Sequence, residues 1–306
     1  MYVLVYVDDI IIIGSAPGNI DVFVQQLHNE FSPKDMGDLY YFLGNEVTRL
    51  STGSLHLCQH KYILDLLDRS SLANANGVYT LMISSSILSK DEPDIAYAVN
   101  QICQFMHVPT SVHLIALKRI LRYLSGIVDY GLVFLPSDKL SLIGYADANW
   151  GLDFDDRRST TGYCVYFGNI PISWCSKKQQ VLSHSRAEAE YRSLAAATSD
   201  VICLVSLLKE LQFSSNNTPA VWCDNSSDVV VVANFVLHLS LSMLSLTCFS
   251  FKKKWLMDLS LSVRFRPVIK LPTSSQSLFL HPHLLIFVVF FKSYLSGRGV
   301  NVRVYL

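Results

Sequence analysis

The sequence predicts an α/β protein, and three observations predict it. A β-rich hairpin opens the chain, apolar-periodic helices occupy its middle, and residues 140–235 run strand, hairpin, long helix, strand and helix. In the hairpin, Val3 to Val7 and Ile10 to Ile13 are rich in β-branched residues, and each reads as a buried strand. Between them stand Asp8 and Asp9, and adjacent carboxylates suit a turn rather than a buried strand. The pair has two readings: a solvated turn, or a hairpin tip that holds divalent metal against phosphate oxygens.

The remaining elements follow in order. Asp21 to Phe31 reads as a helix with Val22, Val24, Leu27 and Phe31 one or two turns apart. Leu39 to Val47 reads as extended, and Lys61 to Leu67 as a second helix. Beyond the Ser84-Ser85-Ser86 run and Pro93, helices are expected over Asp94 to Met106, with Asp94 as N-cap, and over Val112 to Leu124. Ser141 to Tyr145 is a strand. Thr161 to Phe167 and Ile172 to Cys175 form a hairpin through Gly168-Asn169-Ile170-Pro171. A long helix covers Ser185 to Leu211, and Ala220 to Cys223 is a strand.

Composition narrows the classes. Half of the 306 residues are hydrophobic and 16% are charged, which argues against disorder over most of the chain. The formal net charge of zero hides an asymmetry. Residues 1–228 hold 24 acidic and 16 basic side chains, whereas residues 229–306 hold only Asp258 against nine Lys and Arg. Such a shift points to a basic nucleic-acid arm, or to a tail of different origin. The seven cysteines are odd in number and form no C-x-x-C pair. They argue for a reducing, intracellular compartment (cytoplasm or nucleus), and no secretory signal is expected.

Val229 to Phe251 carries no charge, and hydropathy alone makes it a membrane-span candidate. It begins inside the helix that the preceding region needs, so no membrane partner is expected. Leu284 to Phe291 is too short to span.

Residues 140–235 hold three acids of interest. Asp147 ends the first strand, and Asp224 ends the strand Val221-Trp222-Cys223, with Asn225 and Ser226 supplying an N-cap for the next helix. Each alone can be an ordinary strand-end residue. In the long helix, Ser185 and Glu188 form an S-x-x-E capping box, which gives Glu188 a structural role. Glu190 falls on one stripe with Ala187, Leu194, Ala197 and Val201, the face that should pack on the sheet. A carboxylate there is costly without a cation, so Glu190 is favoured over Glu188 as a ligand. Three such carboxylates on one patch suit divalent magnesium and two-metal phosphodiester hydrolysis.

The motifs also run in a known order. Tyr6-Val7-Asp8-Asp9-Ile10 is followed by Lys34-Asp35-Met36-Gly37-Asp38-Leu39-Tyr40-Tyr41-Phe42-Leu43-Gly44 and Gln59-His60-Lys61-Tyr62-Ile63. Pro93-Asp94-Ile95-Ala96-Tyr97-Ala98-Val99-Asn100 and Lys118-Arg119-Ile120-Leu121-Arg122-Tyr123-Leu124 come next. Then come Tyr145-Ala146-Asp147, Asp156-Arg157-Arg158-Ser159-Thr160-Thr161-Gly162-Tyr163, Ser173-Trp174-Cys175-Ser176-Lys177-Lys178-Gln179, Ala189-Glu190-Tyr191 and Trp222-Cys223-Asp224-Asn225. Over residues 1–238 the chain resembles the C-terminal part of the Pol polyprotein of copia-type long-terminal-repeat retrotransposons, of the kind abundant in plants.

The resemblance implies a partial reverse-transcriptase palm and thumb (1–70), a helical connection (71–138) and a ribonuclease-H-like domain (139–238). That last domain is a mixed sheet with flanking helices. It implies RNA-directed DNA synthesis, and hydrolysis of the RNA strand of RNA–DNA hybrids, with magnesium as cofactor. Asp8 and Asp9 match polymerase metal carboxylates, and Asp147, Glu190 and Asp224 match three of the four ribonuclease H carboxylates. Arg157, Arg158, Lys177 and Lys178 would lie along the hybrid's phosphates, positioning it without reading sequence.

The chain also departs from the family. The polymerase fingers and upstream palm strand have no counterpart here, so a polymerase partner in trans is a possible partner. A segment between Lys90 and Pro93 is absent. Similarity fades after His238, returns at Ser260-Leu261-Ser262-Val263-Arg264-Phe265 and is lost again, and no acid follows Asp258. Residues 239–306 are therefore expected to be an out-of-frame, degenerate tail. The expected function is that of a Pol fragment with impaired activity; the alternative is a non-catalytic nucleic-acid-binding remnant or pseudogene product.

Overall fold

The structure is a computed structural model. It describes residues 2–6, 9–14, 17–31, 33–37, 39–42, 44–51, 54–80, 96–134, 141–151, 156–210, 217–224, 262–265 and 301–305. Asp8, the Asp94 cap, Asn225 and Ser226, the Lys90–Pro93 junction and the Val229–Phe251 run lie outside these residues.

In chain order the elements are β1 (Tyr2–Tyr6), β2 (Asp9–Gly14), α1 (Pro17–Glu30), β3 (Asp35–Gly37), β4 (Tyr41–Phe42), β5 (Asn45–Arg49), β6 (Leu55–Cys58) and α2 (His60–Arg69). Then follow α3 (Ala96–Cys103), α4 (Ser111–Gly126), β7 (Gly131–Phe134), β8 (Leu142–Asn149), β9 (Thr160–Phe167) and β10 (Ile170–Lys178). The series ends with α5 (Arg186–Glu210), β11 (Ala220–Cys223), β12 (Ser262–Phe265) and β13 (Asn301–Tyr305). They fall into two compact units. One comprises residues 1–75, 127–136 and 282–306, the other residues 76–126 and 137–281. Residues 71–138, which the sequence presents as one connection, are thus shared between the two units.

In the first unit β1 and β2 pair antiparallel, with Tyr6 opposite Asp9. β1 is not buried throughout, as its composition suggests: Val3 and Val5 are exposed, because β1 is the edge of a sheet ordered β1-β2-β13-β3. β2 has a partner on each side, and Ile11 and Ile12 are fully buried. α1 starts four residues earlier than its apolar spacing suggests, at Pro17, whose fixed φ suits a first helical position. The buried stripe is Ile20 and Val24 against Ile12, with Leu27 beside them, while Val22 and Phe31 are exposed. A second sheet is ordered β4-β5-β6-β7.

The second unit carries a five-stranded sheet ordered β10-β9-β8-β11-β12. β8, β9 and β10 are antiparallel neighbours, whereas β11 runs parallel to both β8 and β12. This is the mixed sheet with flanking helices that the resemblance implies. The β9–β10 hairpin is tighter than its Gly168-Asn169-Ile170-Pro171 connection suggests. Gly168 takes a left-handed φ of 62°, and Ile170 and Pro171 already belong to β10. Pro171 is tolerated because β10 is an edge strand and its register shifts between Pro171 and Ser173. β8 also runs further than predicted: Asp147 lies within it, since Asp147, Ala148 and Asn149 still pair with Gly162, Thr161 and Thr160 of β9.

α5 lies across β8, β9 and β11, burying Leu194, Ala197, Val201, Leu204 and Leu208. Its length and hydropathy alone would allow it to cross a membrane, but that apolar face is taken up by the sheet. Gly144 of β8 makes the close approach possible, because a Cβ there would sit 3.3 Å from Val221 and 3.4 Å from Val201.

Candidate metal centre

Parallel pairing of β11 with β8 sets Cys223 opposite Ala146, so the next residue, Asp224, comes level with Asp147 on the neighbouring strand. α5 begins at the same end of the sheet. Its Ser193 hydroxyl donates to the Gly162 carbonyl at 2.9 Å, in the strand position that pairs with Asp147. Glu190 is thereby brought over the two aspartates. One carboxylate oxygen from each of Asp147, Glu190 and Asp224 lies within 4.8 Å of the others.

The start of α5 is fixed by a buried polar network. Gln179, 8% exposed, donates from Nε2 to Thr161 Oγ1 and to the Ala189 carbonyl, both at 3.0 Å. Its side-chain oxygen accepts from the Ser183 hydroxyl at 2.8 Å, and its backbone N–H donates to the Ser159 carbonyl at 2.8 Å. The Trp150 indole N–H donates to the Ser183 carbonyl at 3.1 Å. One side chain thus joins β9, the loop before α5 and the first turns of α5 itself.

Electrostatics at the cluster follow from its crowding. Glu190 is 3% exposed, and Asp224 Oδ1 is buried with no hydrogen-bond partner among the described residues. Burial raises the Asp147 carboxyl above its ordinary range. The Ala148 N–H, 2.7 Å from Oδ1, opposes this, Asp224 and Glu190 raise it further, and Arg186 lowers it. Arg186 supplies the one close cation among the described residues. Its Nε donates to Glu190 Oε1 at 2.6 Å, and its Nη2 lies 3.7 Å from Asp224 Oδ2. Sequence reasoning assigned Arg186 and Gln179 no role. Arg186 had a visible signal: a positive charge in the first turn of a helix, four residues before a buried acid.

Glu188, also buried, goes elsewhere. Its Oε2 accepts from the His184 N–H at 2.7 Å and its Oε1 from Arg192 Nη2 at 2.6 Å, while its own N–H donates to Ser185 Oγ at 3.1 Å. Ala187, placed on the core stripe by periodicity, is exposed. Of the basic residues, Lys177 and Lys178 pair with Thr161 and Thr160, at the same end of the sheet as Asp147. Asp156 engages two of the four, lying 3.4 Å from Arg158 Nε and 2.9 Å from Lys178 Nζ. Arg157 sits at a left-handed φ of 57°, uncommon for a residue with a Cβ. Of the hairpin pair, Asp8 is outside the described residues, and Asp9 is placed by its backbone only, as the first residue of β2.

Residues 1–84 match the family described as reverse transcriptase (RNA-dependent DNA polymerase). The chain is 44% identical over 262 residues to the retrovirus-related Pol polyprotein from transposon RE1 of Arabidopsis thaliana, covering 78% of this chain. It is 36% identical over 224 residues to an uncharacterized mitochondrial protein of Arabidopsis thaliana, 93% of which it covers. The chain belongs to the Pol polyprotein family of copia-type retrotransposons. It spans 18% of the length of the transposon RE1 polyprotein. Reverse transcriptases and ribonucleases H as families use divalent metals and bind nucleic acid. Solved structures similar to it include LC11-RNase H1, isolated from compost, at a TM-score of 0.29 and 13% identity, covering 42% of this chain and 85% of that one. The sheet order described above, not this likeness, carries the fold of the copia-type Pol fragment.

Proposed function

We propose that the second unit hydrolyses the RNA strand of an RNA–DNA hybrid, with Asp147, Glu190 and Asp224 as ligands for divalent magnesium. The observation that carries this reading is the convergence of the three carboxylates within 4.8 Å at one end of the sheet. The donor set fits such an ion. It is all oxygen and acidic, as a hard cation requires, and Asp224 Oδ1 is buried with no hydrogen-bond donor to accept from among the described residues. When bound, magnesium ions in such a site lower the pKa of an attacking water and stabilise the leaving oxygen.

The chain's own residues do the rest. The Ala148 N–H fixes one Asp147 oxygen, Gln179 holds the first turns of α5, and burial holds Glu190 over the strand ends. Arg157, Arg158, Lys177 and Lys178 contact hybrid phosphates, which orients the duplex without reading its sequence. Asp8 and Asp9 are the corresponding metal carboxylates of the polymerase hairpin.

Magnesium-dependent cleavage of a labelled RNA–DNA hybrid, with Asp147→Asn as control, tests the reading. Cleavage by the wild-type chain alone supports it. The position of Arg186 among the carboxylates favours a second reading, a non-catalytic nucleic-acid-binding remnant. Salt-sensitive hybrid binding with no cleavage at any magnesium concentration supports that one and overturns the first.

A further inference from the structure

Arg186 opens α5 with its side chain 68% exposed, yet its guanidinium turns inward to Glu190 and Asp224. The helix dipole does not favour a cation there. The first turn presents unsatisfied N–H groups and the positive end of the helix dipole, which disfavour Arg and favour acids such as Glu188. What holds the guanidinium is the carboxylate cluster itself, in which Arg186 is the close positive charge among the described residues. Its exposed stem packs little surface, so rotation into solvent costs little beyond the two polar contacts.

Resting on the metal reading above, we propose that Arg186 is a built-in counter-cation that occupies the carboxylate cluster in the metal-free protein and must swing out before a divalent ion binds. The acids are thereby neutralised without metal, and the affinity of the site for metal is lower than three bare carboxylates would give. A divalent ion and a guanidinium both seek Glu190 Oε1 and the Asp224 carboxylate, so the two compete for the same oxygens.

Titration calorimetry with manganese, with no nucleic acid present, tests this on the full chain and on Arg186→Gln. The variant is expected to bind the ion about tenfold tighter, equivalent to ~1.4 kcal/mol. It should also melt lower than wild type without metal and recover the difference when the ion is added. Arg186→Lys, which keeps the charge but loses the planar fork, should fall between the two. Unchanged or weaker binding in both variants overturns the inference and leaves the metal reading standing. Failure of wild type, Arg186→Gln and Asp147→Asn alike to bind the ion overturns the metal reading and the inference with it.

Discussion

Glu188 and Glu190, two residues apart in the first turns of α5, are both buried and serve opposite ends. Glu188 is consumed by Arg192 and the His184 N–H, whereas Glu190 faces Asp147 and Asp224. Glu188→Gln should therefore lower stability by about 1–2 kcal/mol, through the lost charge-assisted bonds, and leave divalent-ion affinity within about twofold. Glu190→Gln should do the reverse and abolish measurable binding. Thermal melts and manganese titration of both variants check this, and equal loss of affinity in the two would refute the division of labour.

Asp147 gives a pH prediction. Its carboxyl titrates above the ordinary 3.8 because of burial and then its acidic neighbours. Between 3.8 and that raised value the folded state binds more protons than the unfolded one. Stability therefore falls as pH rises through this window and stays lower above it. Asp147→Asn removes the charge while its Oδ1 can still accept the Ala148 N–H. At neutral pH without metal it should be more stable than wild type, solvent screening limiting the gain at this half-buried position. Denaturant melts across acid and neutral pH measure it, and added magnesium should stabilise only the wild type.

At the alkaline end the group to watch is Cys175. Burial pushes its thiol from an ordinary 9.0 up to about 11, with Lys177 opposing and Asp200 adding to the shift. The associated stability is complete below pH 9 and is lost as pH rises through about 11, a loss of about 3 kcal/mol. At pH 8 the native thiol should react with iodoacetamide far more slowly than in urea. Equal rates would show that the thiol is not held in its neutral, buried form.

Asp156 holds Arg158 and Lys178 in ion pairs and accepts the Arg158 N–H at 3.1 Å. If those cations serve phosphates, Asp156 competes with the duplex for them. Asp156→Asn should then tighten hybrid binding several-fold at low salt and steepen the salt dependence by about one counterion. Fluorescence anisotropy at a series of salt concentrations reads both, and an unchanged slope would remove these residues from the interface.

Local chemistry made much of this legible from the sequence. Val221-Trp222-Cys223 followed by Asp224 marks a strand and its end, and the Ser185–Glu188 spacing marks where α5 begins. Buried Glu190 stood out because apolar periodicity on its face leaves a carboxylate unexplained. What stayed hidden is set at long range. β8 continues through Asp147 only because β9 offers partners there. The parallel register that brings Asp224 level with Asp147 is written in neither strand alone. β1 has exposed valines because it is an edge, a fact about its neighbours rather than its composition.

β13 has a consequence for how the first sheet comes into being. Residues 301–305 stand between β2 and β3, although almost the whole chain separates them from both. At a synthesis rate of about 5–20 residues per second, the ribosome must work for roughly 15–60 s after β2 emerges before its second partner exists. Throughout that interval the isoleucine-rich backbone edge of β2 has an open row of donors and acceptors, a template for pairing with other nascent chains. The hairpin is thus made long before its sheet is sealed, and an ordering of that kind calls for chaperone cover during translation.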